Sequence, residues 1–295
     1  MKGSKSLRLA FIGLGTMGFP MAGHLADNGF DVIIYNRTPE KCHAWLKKHA
    51  GTIAYTPKEA TQNAQIIFTC VGNDHDLWDV FSNKEGISES IQPNAILVDH
   101  TTTSADIAQK LAMQCQLKGA FFIDAPVSGG QQGAQKGCLT IMCGGENEAF
   151  ETVKPLLFCY ARAVTLMGTV GCGQLTKMVN QICVAGLIQS LAEGIQFATK
   201  AGLDPKKVIE VISKGAAQSW QMENRSATMI NNEYDHGFAV EWMRKDLGIC
   251  LAAAQKIKAT LPITAIVDKF YAEIETMGGK RWDTSSLLTR MMIDS

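Results

Sequence analysis

Along the first half of the chain, short apolar runs alternate with longer stretches whose apolar positions recur at helical spacing. The runs are RLAFIG (8–13), FDVIIYN (30–36), AQIIFTC (64–70), AILVDH (95–100) and FFIDAP (121–126). Rich in β-branched and aromatic residues and bounded by turn formers, they predict strands. Three intervening stretches predict helices: one ending near Asp27-Asn28-Gly29, one opened by Thr38-Pro39, and one running from Ser104 as N-cap to about Lys118. Nearly continuous apolar strands separated by helices imply a parallel sheet covered on both faces. CLTIMCGG (138–145) and RAVTLMG (162–168) add two further strands.

Beyond Gly168, Gly171 and Gly173 the pattern turns helical and stays so to the end. A long helix is expected from about Gln174 to Ala201, closed by Gly202 and followed by a restart at Asp204-Pro205, an N-cap with a first-turn proline. The fold class is therefore an α/β Rossmann-type N-terminal domain, residues 1–168. An all-α C-terminal domain, residues 169–295, is joined to it by a long interdomain helix.

Composition narrows the function classes. A chain of 295 residues suggests about two domains. With 46% apolar and 19% charged residues it can bury a sizeable core. Lys plus Arg equals Asp plus Glu at 28 each, so neither nucleic acid nor an anionic membrane is expected as a partner. The nine cysteines form no CxxC pair or zinc-ligand spacing, so no metal is expected and reduced thiols in the cytoplasm are. No apolar run is expected to approach the roughly 18 residues of a membrane span. The opening MKGSKSLRLAFIGLG is broken by glycines too early for a signal peptide.

GLGTMG (13–18) is GxGxxG placed after a strand and before a helix. Gly13 would allow the tight turn, Gly15 a close approach to a pyrophosphate, and Gly18 the packing of helix on sheet, with Leu14, Thr16 and Met17 completing the loop. The helix N-terminus would offer N–H groups and a positive dipole end to the phosphates. The competing reading is an ordinary glycine turn. An acidic residue at the end of the second strand would favour NAD, but Asn36-Arg37-Thr38 stands there instead. Arg37 can pair with a 2′-phosphate, so NADP(H) is the expected preference, with NAD(H) possible. Alternatively Arg37 only stacks on the adenine.

In GCGQLTKMVNQ (171–181), Lys177, Asn180 and Gln181 share one helical face. That face continues as Val184, Ile188, Leu191 and Ile195, whereas Gln189, Glu193, Gln196 and Lys200 form a separate polar line expected to face solvent. Lys177 thus heads an apolar stripe. Burial could bring its pKa down from about 10.4 and fit it for proton transfer. A solvated, inert lysine at the helix start is the other possibility.

Four motifs, FIGLGTMGFPMAGHL, DAPVSGG with the downstream KGCLTIMCGG, GCGQLTKMVNQ and RKDL, occur in order and spacing that resemble the β-hydroxyacid dehydrogenases over nearly the whole chain. That family includes 3-hydroxyisobutyrate dehydrogenase, tartronate semialdehyde reductase and the glyoxylate/succinic semialdehyde reductases. The resemblance implies Lys177 as catalytic acid/base, with Asn180 and Gln181 beside it and the key amide at either position. It implies Ser128, Gly129 and Gly130 as the substrate-carboxylate site, and such a group can form an anion nest. Val71, Thr102 and Lys245 are implied as further cofactor contacts. Gly72 departs from the family's usual proline.

A hydride-transfer enzyme for a small carboxylated aldehyde or its hydroxy acid is therefore expected, as a homodimer or homotetramer by the same resemblance. An NAD-dependent 3-hydroxyisobutyrate dehydrogenase and a catalytically silent dinucleotide-binding module are the alternatives. Imine reductases share the architecture but usually carry an acid or tyrosine where Lys177 stands. Trp220, Met222, Phe238 and Trp242 are either walls of the substrate pocket or plain core.

Overall fold

The computed structural model describes residues 7–292. The chain divides into two compact units, Met1–Lys177 and Met178–Ser295, and the division falls inside a helix.

The first unit is built on one sheet. Its strands are β1 (Arg8–Ile12), β2 (Asp31–Tyr35), β3 (Thr52–Ile53), β4 (Ile66–Thr69), β5 (Ile96–Asp99), β6 (Phe121–Asp124), β7 (Val127–Ser128), β8 (Leu139–Gly145) and β9 (Ala161–Gly168). They run in the order β3-β2-β1-β4-β5-β6-β8-β7, with β9 beside β8. The pairings from β3 through β6 are parallel, as the apolar runs implied, and β8 meets both β6 and β7 antiparallel. The connecting helices are α1 (Gly18–Asp27), α2 (Pro39–Leu46), α3 (Pro57–Thr61), α4 (Asp74–Ser82), α5 (Ala105–Leu117), α6 (Gly130–Gln135) and α7 (Asn147–Leu157).

Side chains alternate across these strands, and both faces are dry. Leu9, Phe11, Phe68 and Val98 enter one core with Leu25 and Trp45. Ala10, Ile12, Ile67 and Leu97 enter the other with Leu77, Phe81 and Leu111. A large apolar side chain buried this fully contributes about 1.5–3 kcal/mol. This explains why the strands read as unbroken apolar runs rather than as alternating ones. The chain leaves β1 towards β2 on one side and β4 on the other, so the carboxyl edge beside β1 is a topological switch point, where ligands of such sheets bind.

The second unit consists of the later part of α8 (Cys172–Lys200), then α9 (Pro205–Ile212), α10 (Trp220–Ile230), α11 (Val240–Ile257) and α12 (Pro262–Thr276), closed by 3-10 turns at 279–281 and 284–291. Gly202 takes φ +73° after α8, and Asp204 caps α9 by accepting from the Lys206 N–H at 2.9 Å. Ile188, Leu191 and Ile195 pack with Met222, Met243, Leu247, Tyr271 and Leu287 in one core. Met222 is plain core and Phe238 packs against it, whereas Trp220 is exposed.

Two expectations for α8 need correction. Gln189 is buried, donating to Glu193 at 2.7 Å, while much of the exposed side is apolar, with Leu175, Val179, Leu187 and Phe197. The buried arc is wide enough to take in residue 189, and apolarity alone did not tell the inner side from the outer. The helix also holds an 18-residue window of mean hydropathy 1.3, long and apolar enough by composition to cross a membrane. Only 39% of that window is buried; Ile188, Ala192 and Ile195 of the same helix lie in the core of the second unit.

Candidate active site

The glycine turn sits at the carboxyl end of β1. Gly13 has φ +100°, and a Cβ there would lie 2.3 Å from the Cys70 carbonyl oxygen; one on Gly18 would lie 1.9 Å from the Gly13 carbonyl oxygen. Gly15 has nothing within 4 Å of the same position, so its open side can take a ligand. α1 begins at this turn without a side-chain cap, which leaves its first N–H groups suited to an anion. These features fit a dinucleotide pyrophosphate.

Asn36 accepts from the Leu14 N–H at 2.8 Å and donates to the Thr38 carbonyl at 3.0 Å, so its amide ties the glycine turn to the end of β2. Arg37 beside it is 86% exposed along its side chain and lies 3.6 Å from Asp76 of α4. Val71 and Thr102 follow β4 and β5 on the same edge. The Val71 N–H donates to the Thr101 hydroxyl at 3.0 Å, joining those two loops. Asp74 joins them again by accepting from the Ser104 N–H at 3.0 Å and from the Ser104 hydroxyl.

Behind this edge lies a buried polar row that the motifs did not reveal. Thr69, Asp99 and Asp124 are register partners on β4, β5 and β6. Asp99 Oδ1 accepts from the Thr69 and Thr101 hydroxyls at 2.7 and 2.6 Å, while its Oδ2 has no hydrogen-bond partner. Burial pushes the Asp99 carboxyl up to about 7 against the hydrogen bonds that lower it. His100 bonds the Ala125 carbonyl at 2.7 Å and the Tyr160 hydroxyl at 2.8 Å, and burial pushes it down to about 4. Asp124 accepts from the Gly171 N–H at 2.7 Å and the Gln174 N–H at 2.8 Å, at the start of α8. Burial outweighs these donors, and its pKa rises to about 6.

Gln174 completes the connection. Its amide donates to the Thr101 carbonyl at 2.7 Å and accepts from the Thr103 N–H at 3.0 Å. The glycines of GCGQ follow from this packing: a Cβ on Gly173 would meet the Met142 carbonyl oxygen at 2.4 Å and that of Asp124 at 2.7 Å. Lys177 comes one turn after Gln174 and is only 8% exposed. The sequence left open whether this lysine was solvated; it is buried.

Ser128 ends β7, paired with Thr140 of β8, and leads into Gly129 at φ +131° and Gly130 at φ +60°. Two consecutive positive φ values explain why both positions are glycine. Nothing lies within 4 Å of a Cβ placed on Gly130.

Asn180, Gln181 and Lys245 belong to the second unit. Gln181 is buried, donates to Asp246 Oδ2 at 2.7 Å and accepts from the Asn180 amide at 2.7 Å. Lys245 Nζ lies 3.2 Å from Asp246 Oδ1 and 5.9 Å from the Trp242 ring. Asp246 therefore meets Gln181 and Lys245 directly and Asn180 through Gln181, yet it went unremarked within RKDL.

A doubly wound sheet with an open glycine turn at its switch point, continued by a helical unit, defines a nicotinamide-dinucleotide oxidoreductase. The profile for the NAD binding domain of 6-phosphogluconate dehydrogenase matches residues 8–168, and that for the NAD-binding region of NADP-dependent 3-hydroxyisobutyrate dehydrogenase matches residues 171–291. An uncharacterized oxidoreductase of Shewanella frigidimarina is 58% identical over 96% of this chain and 98% of its own. The 2-hydroxy-3-oxopropionate reductase of Escherichia coli is 34% identical over 96% of both chains. The 3-hydroxyisobutyrate dehydrogenase of Mycobacterium tuberculosis, solved with L-serine, is 25% identical with a TM-score of 0.88, over 97% of this chain and 99% of that one. The chain belongs to the β-hydroxyacid dehydrogenase family, oxidoreductases that act on CH–OH donors with NAD(P).

Proposed function

We propose that the protein is an NADP(H)-preferring oxidoreductase interconverting a small carboxylated aldehyde, a semialdehyde or glyoxylate, and its hydroxy acid. One observation carries the proposal: Lys177 is buried on a helix whose first turn is bonded to the loop after β5. The relatives' names and ligands, 2-hydroxy-3-oxopropionate and L-serine among them, supply the substrate class.

The open turn at Gly15 and the uncapped start of α1 would hold the pyrophosphate, and Arg37 the 2′-phosphate. Val71, Thr102 and Lys245 would supply the remaining cofactor contacts. Hydride exchange is the chemistry a nicotinamide supplies when bound. Ser128, with the Gly129 and Gly130 backbone, would bind the substrate carboxylate. Lys177 would give a proton to the carbonyl oxygen as its carbon is reduced. In the reverse direction, neutral Lys177 would take the proton of the alcohol. Asn180 and Gln181 would stand beside it, with the key amide at either position; the Gln181 amide is held by Asn180 at one end and Asp246 at the other.

On this proposal residues 1–168 are the dinucleotide-binding domain, and residues 169–295 are the substrate and oligomerisation domain. The exposed apolar side chains Val179, Phe197 and Val211 support pairing, and nine free thiols support a cytoplasmic setting. A second reading, an NAD-dependent 3-hydroxyisobutyrate dehydrogenase, draws support from Asp76, whose carboxylate competes for Arg37.

The test is a panel of glyoxylate, succinic semialdehyde, tartronate semialdehyde and 3-hydroxyisobutyrate with both cofactors. NADPH oxidation by one of the aldehydes is expected. No turnover with any of the four would point to a silent binding module, and preferential NAD-linked oxidation of 3-hydroxyisobutyrate to the second reading.

A further inference from the structure

The amide of Gln174 is fully buried and spent on two backbone groups of one loop, the Thr101 carbonyl and the Thr103 N–H. Its own N–H is held by Asp124, whose carboxylate sits on the first turn of α8. An anion at a helix start is stabilised by the dipole and by otherwise orphaned N–H groups. Here it also fixes where the helix begins, because Gly144 and Gly173 leave no room for a side chain around that carboxylate: a Cβ on either would come within 2.8 Å of an Asp124 oxygen. The loop that Gln174 grips is in turn tied through Thr101 to Asp99, and to the loop after β4 at Val71. Gln174 and Lys177 are i and i+3, so they project from one side of the helix.

We infer that Gln174 is a positioning residue for the hydride-transfer reaction, locking the first turn of α8 to the 101–103 loop and so setting where Lys177 presents its amine. The inference rests on the proton-transfer role proposed above for Lys177. Held at both ends, the amide fixes the first turn of α8 against the 101–103 loop. Misplacing a reacting group by about 1 Å can cost about 100-fold in rate, so loss of this clamp should be read in kcat.

Gln174→Met keeps the length of the side chain and removes both bonds. The expected result is a fall in kcat of roughly 10- to 100-fold, with the Kd for NADPH, measured by fluorescence titration, within about threefold of wild type. A kcat within threefold of wild type in a folded protein would overturn the inference, as would equal losses in kcat and cofactor affinity. Should Gln174→Met fail to fold, Gln174→Glu takes its place and is judged the same way. It preserves volume and the acceptor for Thr103, but in its ionised form loses the donor to Thr101. Lys177→Ala is run beside them. Turnover surviving in Lys177→Ala overturns the lysine role and the inference with it. An inactive Lys177→Ala beside a Gln174 variant of wild-type kcat overturns the inference alone.

Discussion

The side-chain amide of Gln181 donates to the carboxylate of Asp246 at 2.7 Å, with both residues buried in the second unit. Asp246 also faces the Lys245 ammonium at 3.2 Å. Removing the carboxylate takes a close acceptor from a buried amide and an opposite charge from beside Lys245. Asp246→Ala is therefore expected to lose about 2–3 kcal/mol of unfolding free energy, and urea titration would measure it. A loss below about 0.5 kcal/mol would show that this cluster does not hold the second unit together.

Lys177→Ala should lower kcat by roughly 100- to 10,000-fold, the range for a lost general acid/base, while the Kd for NADPH stays near wild type. Steady-state kinetics with the best aldehyde of the panel and a fluorescence titration of the cofactor check the two halves separately.

Cofactor choice should follow Arg37. If its guanidinium meets the 2′-phosphate, Arg37→Ala should lose roughly 10- to 100-fold in kcat/KM with NADPH, the equivalent of about 1.5–3 kcal/mol for a charged hydrogen bond, and little with NADH. Asp76→Asn frees the guanidinium from its carboxylate neighbour and should move the ratio the other way. Identical changes for the two cofactors would remove Arg37 from the discrimination.

Two buried groups give stability opposite pH dependences. Asp99 rises in the folded state from 3.8 to about 7, so the native state holds the extra proton between those values. Its contribution is present at low pH and is lost as pH climbs through about 7. His100 falls from 6.5 to about 4, so the unfolded state takes the proton first, and stability is lost as pH drops through that window. Asn at position 99 can keep the acceptor at Oδ1 and has no charge to desolvate. Asp99→Asn should accordingly gain in Tm on wild type as pH is raised from about 5 to about 8, and His100→Gln should flatten the acid side. Melting curves across that range give both slopes.

The legible part of this protein was local. β1, β2, β4, β5 and β6 stood out because strands packed on both faces need apolar residues at successive positions, with polar residues confined to their ends. Ser104 announced α5, and its hydroxyl accepts from the Ile107 N–H at 3.2 Å as an N-cap should. β3 and β7 were not foreseen, since two residues carry no periodicity and β7 lies inside the DAPVSGG motif. Asp124 and Gln174 were passed over for a different reason: 50 positions separate them, and only strand register and the glycines at 144 and 173 bring one onto the other. The solvent side of α8 was misjudged because Phe197 and Val179 look like core residues in any linear pattern.

Gly173 has a consequence for how such a site can change over time. A methyl group there would strike the backbone of two strands at once, so the helix would have to lift off the sheet and carry the amine with it. The depth at which the lysine sits is thus gauged by a residue that offers no chemistry of its own. Drift at position 173 should therefore be costly to the seating of α8 on the sheet, because the atoms in its way are backbone carbonyls.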